Sequence, residues 1–406
     1  MLVNLEFDAR ASGHVSVWKN YAHAAANRAD VDLTVYFLGP RRTIEVAPNV
    51  RYEVVPGTAS TRALRLRQGG GHADIGFYNR RLARLLERHD VIHTTDFFCF
   101  GATGRRVAKR LGKPFVYSVH TLQPEFSRIY WPEISEGLFG QTLTRYFLIN
   151  ILRTHDLIHW FLTRGLKGLL RAADAVMTFH PGNLPPGAAV SADRLFPLRR
   201  GSDPAAFRPD LRNPDALRQR FRIPADRQVV LFVGRLDETK SARLVADALR
   251  LLADRGVPVH GLFVGHGRDA EAIARVLGPA ATLAGILPHD ALPQIYASAD
   301  LLAFPALFET WGNVVIEAKA SGLPVLVADG TATARHIGES GQDGVVVPEH
   351  TASAWAAAIE AVLSDPQRRS AIGAAARRWA EAHTLSWRDA VEQDLIPVWR
   401  RLAGAG

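Results

Sequence analysis

QVVLFVGRLDETKSARLVADALRLLADRGVPVHGLFVG, residues 228–265, decides the fold. QVVLFVG and VHGLFVG are continuous apolar runs of strand length, whereas ARLVADALRLLADRG between them repeats its apolar residues at helical spacing. A strand, a helix and a second buried strand form a βαβ unit, which implies a parallel sheet. The alternation continues downstream through a helix, DAEAIARVLG, and the strands ATLAG, ASADLLAFPA (a buried strand running into a Pro-containing loop), PVLVADG and GVVVP. Upstream, LVNLEF, VDLTVYFLG, VRYEVVP, DVIHTTD, PFVYSVH and DAVMTFH read as strands. VSVWKNYAHAAAN, FYNRRLARLLERH and TGRRVAKRLG read as the helices among them. FPLRRGSDPAAFRPDLRNP has no periodicity and is rich in Pro and Arg, so it separates two domains, 1–200 and 201–385. LSWRDAVEQDLIPVWRRLAG predicts one amphipathic helix, assigned to 386–406, that crosses back to the first domain. The expected fold class is α/β: two Rossmann-like doubly wound domains facing across a cleft, with ligands at the carboxyl ends of the strands.

Two domains suit 406 residues, and 47% hydrophobic content with 22% charge describes a globular protein with large cores. Cys99 stands alone, which precludes an intramolecular disulfide and fits a reducing compartment. MLVNLEF is too short and too acidic for a signal peptide. The longest apolar candidate, YFLINILRTHDLIHWFL, is broken by Arg153, His155 and Asp156, so no membrane span is expected. The formal charge of +9 is uneven: residues 1–200 hold 27 Lys and Arg against 16 Asp and Glu, and residues 201–406 hold 22 against 24. The basic half predicts an anionic partner, with nucleic acid and anionic lipid both open on charge alone. Arg-rich usage across the whole chain explains much of the total but not the asymmetry.

LFETWGNVVIEAKASGLP, residues 307–324, places Glu309 in a loop and Glu317 on a helix that starts near Gly312 and ends at Gly322 and Pro324. Between the two carboxylates lie the N–H groups around Gly312, Asn313 and Val314. A helix N-terminus accepts an anion, and nearby carboxylates accept hydroxyl hydrogen bonds. A phosphate flanked by hydroxyls describes a sugar nucleotide; a capping acid followed by a solvent-facing Glu is the alternative. FVGRLDETKS adds Arg235 and Lys240 directly after a strand, where two cations suit a departing diphosphate. Ordinary surface charge is the competing explanation for either cation alone.

His120 ends PFVYSVH at the carboxyl edge where a site is expected, although a lone histidine is often structural. Gly265, Gly267 and Ala270 in VGHGRDA loosely match a dinucleotide fingerprint, but no acid follows at the required distance. Asp30 and Asp32 spell an acid-x-acid pair at the wrong end of a strand for a metal site. No His, Cys or Glu cluster has ligand spacing, so neither metal nor cofactor is expected.

Taken together, Glu309-x7-Glu317, FVGRL…K, FETWGNVVIEA.ASGLPV and RRGSD...F.P resemble the retaining family 4 glycosyltransferases of GT-B fold, most strongly over residues 228–348. The resemblance implies that Arg235 and Lys240 hold the donor diphosphate and that Glu309 holds the donor sugar. It puts Gly312, Asn313 and Val314 at the phosphates and sugar, Glu317 at the ribose, and His120 near the reacting sugar. Gly13 is similar to the second glycine of an N-terminal Gly-Gly loop in which Ser12 replaces the first. Trp311 stands where Phe is usual, and DGTATARHI (329–337) replaces a segment that ordinarily carries an acid.

YSVHT..PEF, RRGSD and ARHI look closest to GDP-mannose-dependent α-mannosyltransferases and sulfolipid-synthase-like enzymes. The implied activity moves a hexose, mannose first, to a glycolipid or lipid-linked saccharide. A UDP-hexose-dependent enzyme with a soluble acceptor, or a sugar-nucleotide epimerase of the same fold, is the alternative. Nucleic acid is set aside, because Glu309 and Glu317 would repel a phosphate backbone. Arg62, Arg65, Arg67, Arg80, Arg81 and Arg84 lie among apolar residues in the basic half. They suggest either an acceptor-side surface for anionic lipid or a solvated face. A cytoplasmic protein, peripheral on the inner membrane face, is the expected location.

Overall fold

The computed structural model describes residues 1–7, 13–61, 72–120, 131, 135, 140, 142, 153–203 and 205–404. The chain divides into two compact units, Met1–Gly201 with Trp387–Gly406, and Ser202–Ser386. Both are Rossmann-like α/β units built on parallel-sheet cores.

The first unit is an eight-stranded sheet. Its strands are β1 (Leu2–Glu6), β2 (Leu33–Leu38), β3 (Arg42–Ala47), β4 (Val50–Val55), β5 (Ile92–Thr94), β6 (Phe115–Val119), β7 (Ala175–Thr178) and β8 (Leu195–Pro197). Their order is β3-β4-β2-β1-β5-β6-β7-β8. Every residue of β2 and β6 is buried, as continuous apolar runs covered by helices on both faces require. Helix Cys99–Leu111 turns Phe100, Thr103, Val107 and Ala108 inward and ends at Gly112, whose φ of 65° closes the left-handed C-terminal turn.

Two strands escaped the sequence pattern. β3 pairs antiparallel with β4, and exposed Arg42, Thr43 and Glu45 leave it no apolar run to be recognised by. β8 overlaps the start of the stretch assigned to the linker and pairs with β7 through Val176 and Leu195. Pro197 is tolerated there because β8 is an edge strand, where a missing N–H breaks no second ladder.

The second unit has strands β9 (Gln228–Val233), β10 (Val259–Val264), β11 (Ala281–Gly285), β12 (Leu301–Phe304), β13 (Val325–Ala328) and β14 (Val345–Val347). Their order is β11-β10-β9-β12-β13-β14, and every pair is parallel. The sheet is wound outward from β9 in one direction and from β12 in the other. The gap between these neighbours at their carboxyl ends is therefore the switch point where such sheets bind ligands. Phe232, Phe263 and Phe304 pack together beneath it, with ring centroids 5.9 and 6.1 Å apart.

The C-terminal segment is not the single α-helix its pattern predicts. Trp387–Ala390 and Ile396–Ala403 are α-helical, but Val391–Leu395 between them forms a π-helical turn. Pro397 has no N–H to close the ordinary i→i−4 bond, and the wider turn absorbs the fault. The segment belongs to the first unit because its anchors lie there. Trp387 meets Tyr21 edge-on at 5.1 Å, Trp399 donates to His93 Nδ1 at 3.1 Å, and buried Asp394 pairs with Arg199 at 2.6 Å.

Candidate functional site

Arg235 and Lys240 follow β9 on a turn built by their neighbours. Arg235 donates to Thr239 Oγ1 at 2.8 Å and lies 3.4 Å from Asp237, while Thr239 in turn donates to Asp237 at 2.5 Å. The Lys240 backbone N–H is held by the Asp237 carbonyl at 3.1 Å. Gly265, weighed above as part of a nucleotide fingerprint, serves this turn instead. A Cβ there would fall 1.8 Å from the Gly234 carbonyl oxygen, and one on Gly267 2.2 Å from that of Leu236. The glycines after β10 let its loop lie against the turn that carries Arg235.

The loop after β12 meets this turn through one ion pair. Lys240 Nζ lies 2.6 Å from Glu309 Oε2 and 3.2 Å from the Phe308 carbonyl oxygen, with both side chains mostly buried. Glu309 Oε1 accepts from the backbone N–H of Thr310 at 3.0 Å and of Trp311 at 3.4 Å. The carboxylate thus shapes the entry to helix Asn313–Ala320 while it holds the lysine. Gly312 precedes that helix with φ of 86°, and a Cβ would sit 2.3 Å from Thr333 Cγ2. Only glycine fits, so the first helical N–H groups keep a fixed direction. Asn313 Oδ1 is buried and finds no hydrogen-bond partner among the described residues.

Glu317, one face further on, accepts from Tyr296 OH at 3.1 Å and lies 3.3 Å from His289 Nε2. Donation to the Glu317 carboxylate raises the His289 pKa, and burial drives that of Tyr296 well above its ordinary value, so its hydroxyl remains a donor. A carboxylate offers about four acceptor directions, leaving capacity for ligand hydroxyls.

Behind the helix lies a set of residues that motif reading missed. Lys319 is fully buried, 2.6 Å from Asp343, and its ammonium sits 3.8 Å from the Trp379 ring centroid. It also donates to the His336 carbonyl, and His336 Nε2 meets the Trp311 carbonyl. Burial lowers the Lys319 pKa to about 8 and that of His336 to about 4. The signal was present in VVIEAKASG, where a lysine occupies a position the apolar stripe should own.

The other predicted residues lie in the first unit. Gly13 opens helix Gly13–Ala24, exposed and with nothing near its absent Cβ. His120 is only 1% exposed and is enclosed by the rings of His14 at 4.7 Å, Trp18 at 5.3 Å and Phe179 at 5.3 Å. It shares a 3.0 Å hydrogen bond with Ser118 Oγ, and burial, with neighbouring His14, Arg200 and His93, holds its pKa far below the ordinary histidine value. A neutral imidazole results. Contact with a sugar would require one of those rings to give way. His14, unremarked in the sequence, pairs with Thr95 at 3.1 Å and is lowered to about 3 by burial and then by Arg200.

Arg80, Arg81 and Arg84 are exposed on helix Arg80–Leu86, whose Leu82, Ala83 and Leu86 are buried; Arg62, Arg65 and Arg67 lie outside the described residues. Among the described residues no group of three His, Cys, Asp or Glu could hold a metal, and no helix is long and apolar enough to cross a membrane.

Known proteins place this geometry in context. Residues 213–379 match the family described as Glycosyl transferases group 1, and residues 11–181 match Glycosyltransferase Family 4. A D-inositol 3-phosphate glycosyltransferase of Jonesia denitrificans is 28% identical over 340 residues, 80% of this chain and 75% of its own. The sulfoquinovosyl transferase SQD2 of Arabidopsis thaliana is 29% identical over 325 residues, covering 76% and 57%. The crystal structure of Anabaena HepE in complex with UDP and glucose superposes with TM-score 0.70 at 18% identity, over 99% of both chains. That likeness shows the GT-B fold.

Proposed function

We propose that this chain, a glycosyltransferase built of a family 4 domain followed by a group 1 domain, moves a hexosyl group from a nucleotide sugar to an anionic acceptor with retained anomeric configuration. The observation that carries the donor half is the Lys240–Glu309 pair at the β9–β12 switch point, beside the helix N-terminus set by Gly312. Separated on binding, the lysine faces the diphosphate and the carboxylate faces the sugar hydroxyls. Asn313 Oδ1 supplies an acceptor that already needs a donor.

The bond from the anomeric carbon to the diphosphate oxygen breaks as the acceptor oxygen bonds that carbon from the same face. The acceptor proton passes to the departing phosphate oxygen. Negative charge grows on the diphosphate along this path, so Arg235, Lys240 and the helix N-terminus act most strongly at the transition state. These cations supply the charge that a divalent ion would otherwise bring, and activity in excess EDTA is the expected result.

Two donors divide the reading. A UDP-hexose comes first, because the solved structure of the same fold holds UDP and glucose. GDP-mannose comes second, supported by the YSVHT and RRGSD motifs. The acceptor reading rests on the basic half, with a net charge of +11 over residues 1–200. A glycolipid or lipid-linked saccharide drawn from the inner membrane face is placed ahead of a soluble phosphorylated polyol, the class named for the Jonesia relative. Release of UDP or GDP from the matching sugar nucleotides, with membrane lipid extract or inositol phosphate as acceptor, tests this. Acceptor-dependent release in one pairing, with an α-linked product from an α-linked donor, is expected. An inverted product, or release from no pairing, overturns the reading.

A further inference from the structure

We propose that the outward stripe of helix Thr154–Ala172 docks the protein on anionic lipid bilayers. Leu157, Trp160 and Phe161 stand 63%, 59% and 66% exposed. Their spacing of three and four residues puts them on one helical face. Arg153 lies four residues before Leu157, and Arg164 three after Phe161, both exposed. The stripe is therefore apolar in the middle, with cationic Arg164 at one end and the Arg153–Asp156 ion pair at the other. The Arg164 guanidinium lies 5.8 Å from the Trp160 ring centroid, which keeps the charge at the edge of the apolar patch. The rest of the helix is ordinary, with Leu166, Leu169 and Leu170 buried in the unit's core.

Single exposed apolar residues are common on soluble proteins, but three large ones in one stripe are not. Trp, Phe and Leu with flanking arginines are the composition that settles at headgroup depth, and anionic lipid adds attraction for the cations. The helix carries one acid, Asp156, and Arg153 pairs with it at 2.5 Å. The other charged residues of the helix, Arg164, Lys167 and Arg171, are all basic, which complements an anionic bilayer. Arg80, Arg81 and Arg84, on a helix whose apolar face is already buried, offer charge without insertion. The inference deepens the lipid-acceptor reading and rests on it for its purpose: docking holds the N-terminal unit where a lipid acceptor resides.

Co-sedimentation of the full chain with phosphatidylcholine vesicles, with and without phosphatidylglycerol, tests this, comparing wild type with Trp160→Glu/Phe161→Glu. The wild type should bind the anionic vesicles and weaken with salt, and the double variant should bind about tenfold or more weakly. Its melting temperature and its response to UDP or GDP should match wild type. Equal binding by both proteins, or no wild-type binding at low salt, overturns the proposal. So does a variant that melts several degrees lower, which would make the stripe part of the core, or a wild-type dimer that the variant dissolves. If vesicle binding holds while transfer reaches only soluble acceptors, the acceptor reading fails and the docking surface stands.

Discussion

Lys319 shows what a residue does when it touches no ligand. It ties helix Asn313–Ala320 to Asp343 and, through the His336 carbonyl, to the segment that carries the Trp311 contact. Lys319→Ala would strand the buried Asp343 carboxylate, and removing one partner of a buried pair costs about 3–5 kcal/mol. Urea denaturation should show that loss in the midpoint, with donor affinity falling alongside it because the helix N-terminus loses its backing. A loss under 1 kcal/mol, a rough floor for breaking a hydrogen-bonded buried pair, would mean water reaches the site. The loop position of Glu309 and the helical position of Glu317 were legible because Gly312, Gly322 and Pro324 bound the helix between them. Lys319 was harder to read, since a single charge in an apolar run marks a buried position but has no spacing that names its partner.

At the scale of elements, the helix N-terminus matters more than the helix. Gly312 sets its direction from a left-handed backbone with Thr333 packed where a side chain would go. Gly312→Ala introduces both backbone strain and a clash, worth about 1–3 kcal/mol of stability. Transfer activity should fall further than stability implies, because the displaced N–H groups no longer meet the phosphates. Circular dichroism melts beside turnover measurements would separate the two effects; intact turnover would remove the helix from the donor site. The strands of both sheets could be read from apolar runs, except β3 and β8, where exposed or proline-containing edges carry no such run. Pro397 likewise hid a π-helical turn inside an otherwise regular amphipathic pattern.

Over the whole molecule, buried histidines set the response to acid. Burial lowers His336 and His260 to about 4 and His14 and His89 to about 3. Each takes up a proton near 6.5 when unfolded but resists until its folded value. Stability is therefore complete above 6.5 and drains as pH falls toward 4, at about 1.4 kcal/mol per pH unit per fully titrating group. Asp96, raised to about 7 by burial, works in the opposite direction but is one group against these four and the likewise lowered His93 and His120. Urea midpoints at pH 7, 6 and 5 should fall in order, and His336→Gln should flatten the slope; a flat wild-type profile would contradict the burial. The two-unit organisation was readable because a break in periodicity near residue 200 coincides with a change in charge balance. The ring cluster enclosing His120 was not, since its members come from three distant stretches of chain.

In the proposed reaction a nucleoside diphosphate is held by Lys240 and its neighbours. The most direct test is thermal stability of wild type and Lys240→Ala with UDP and with GDP, both in excess EDTA. A ligand at 100 times its dissociation constant stabilises by about 2.7 kcal/mol, enough for a clear upward shift. That shift is expected with one nucleotide for wild type and should be lost in a variant that still folds. No shift with either nucleotide, or an equal shift in Lys240→Ala, would contradict it.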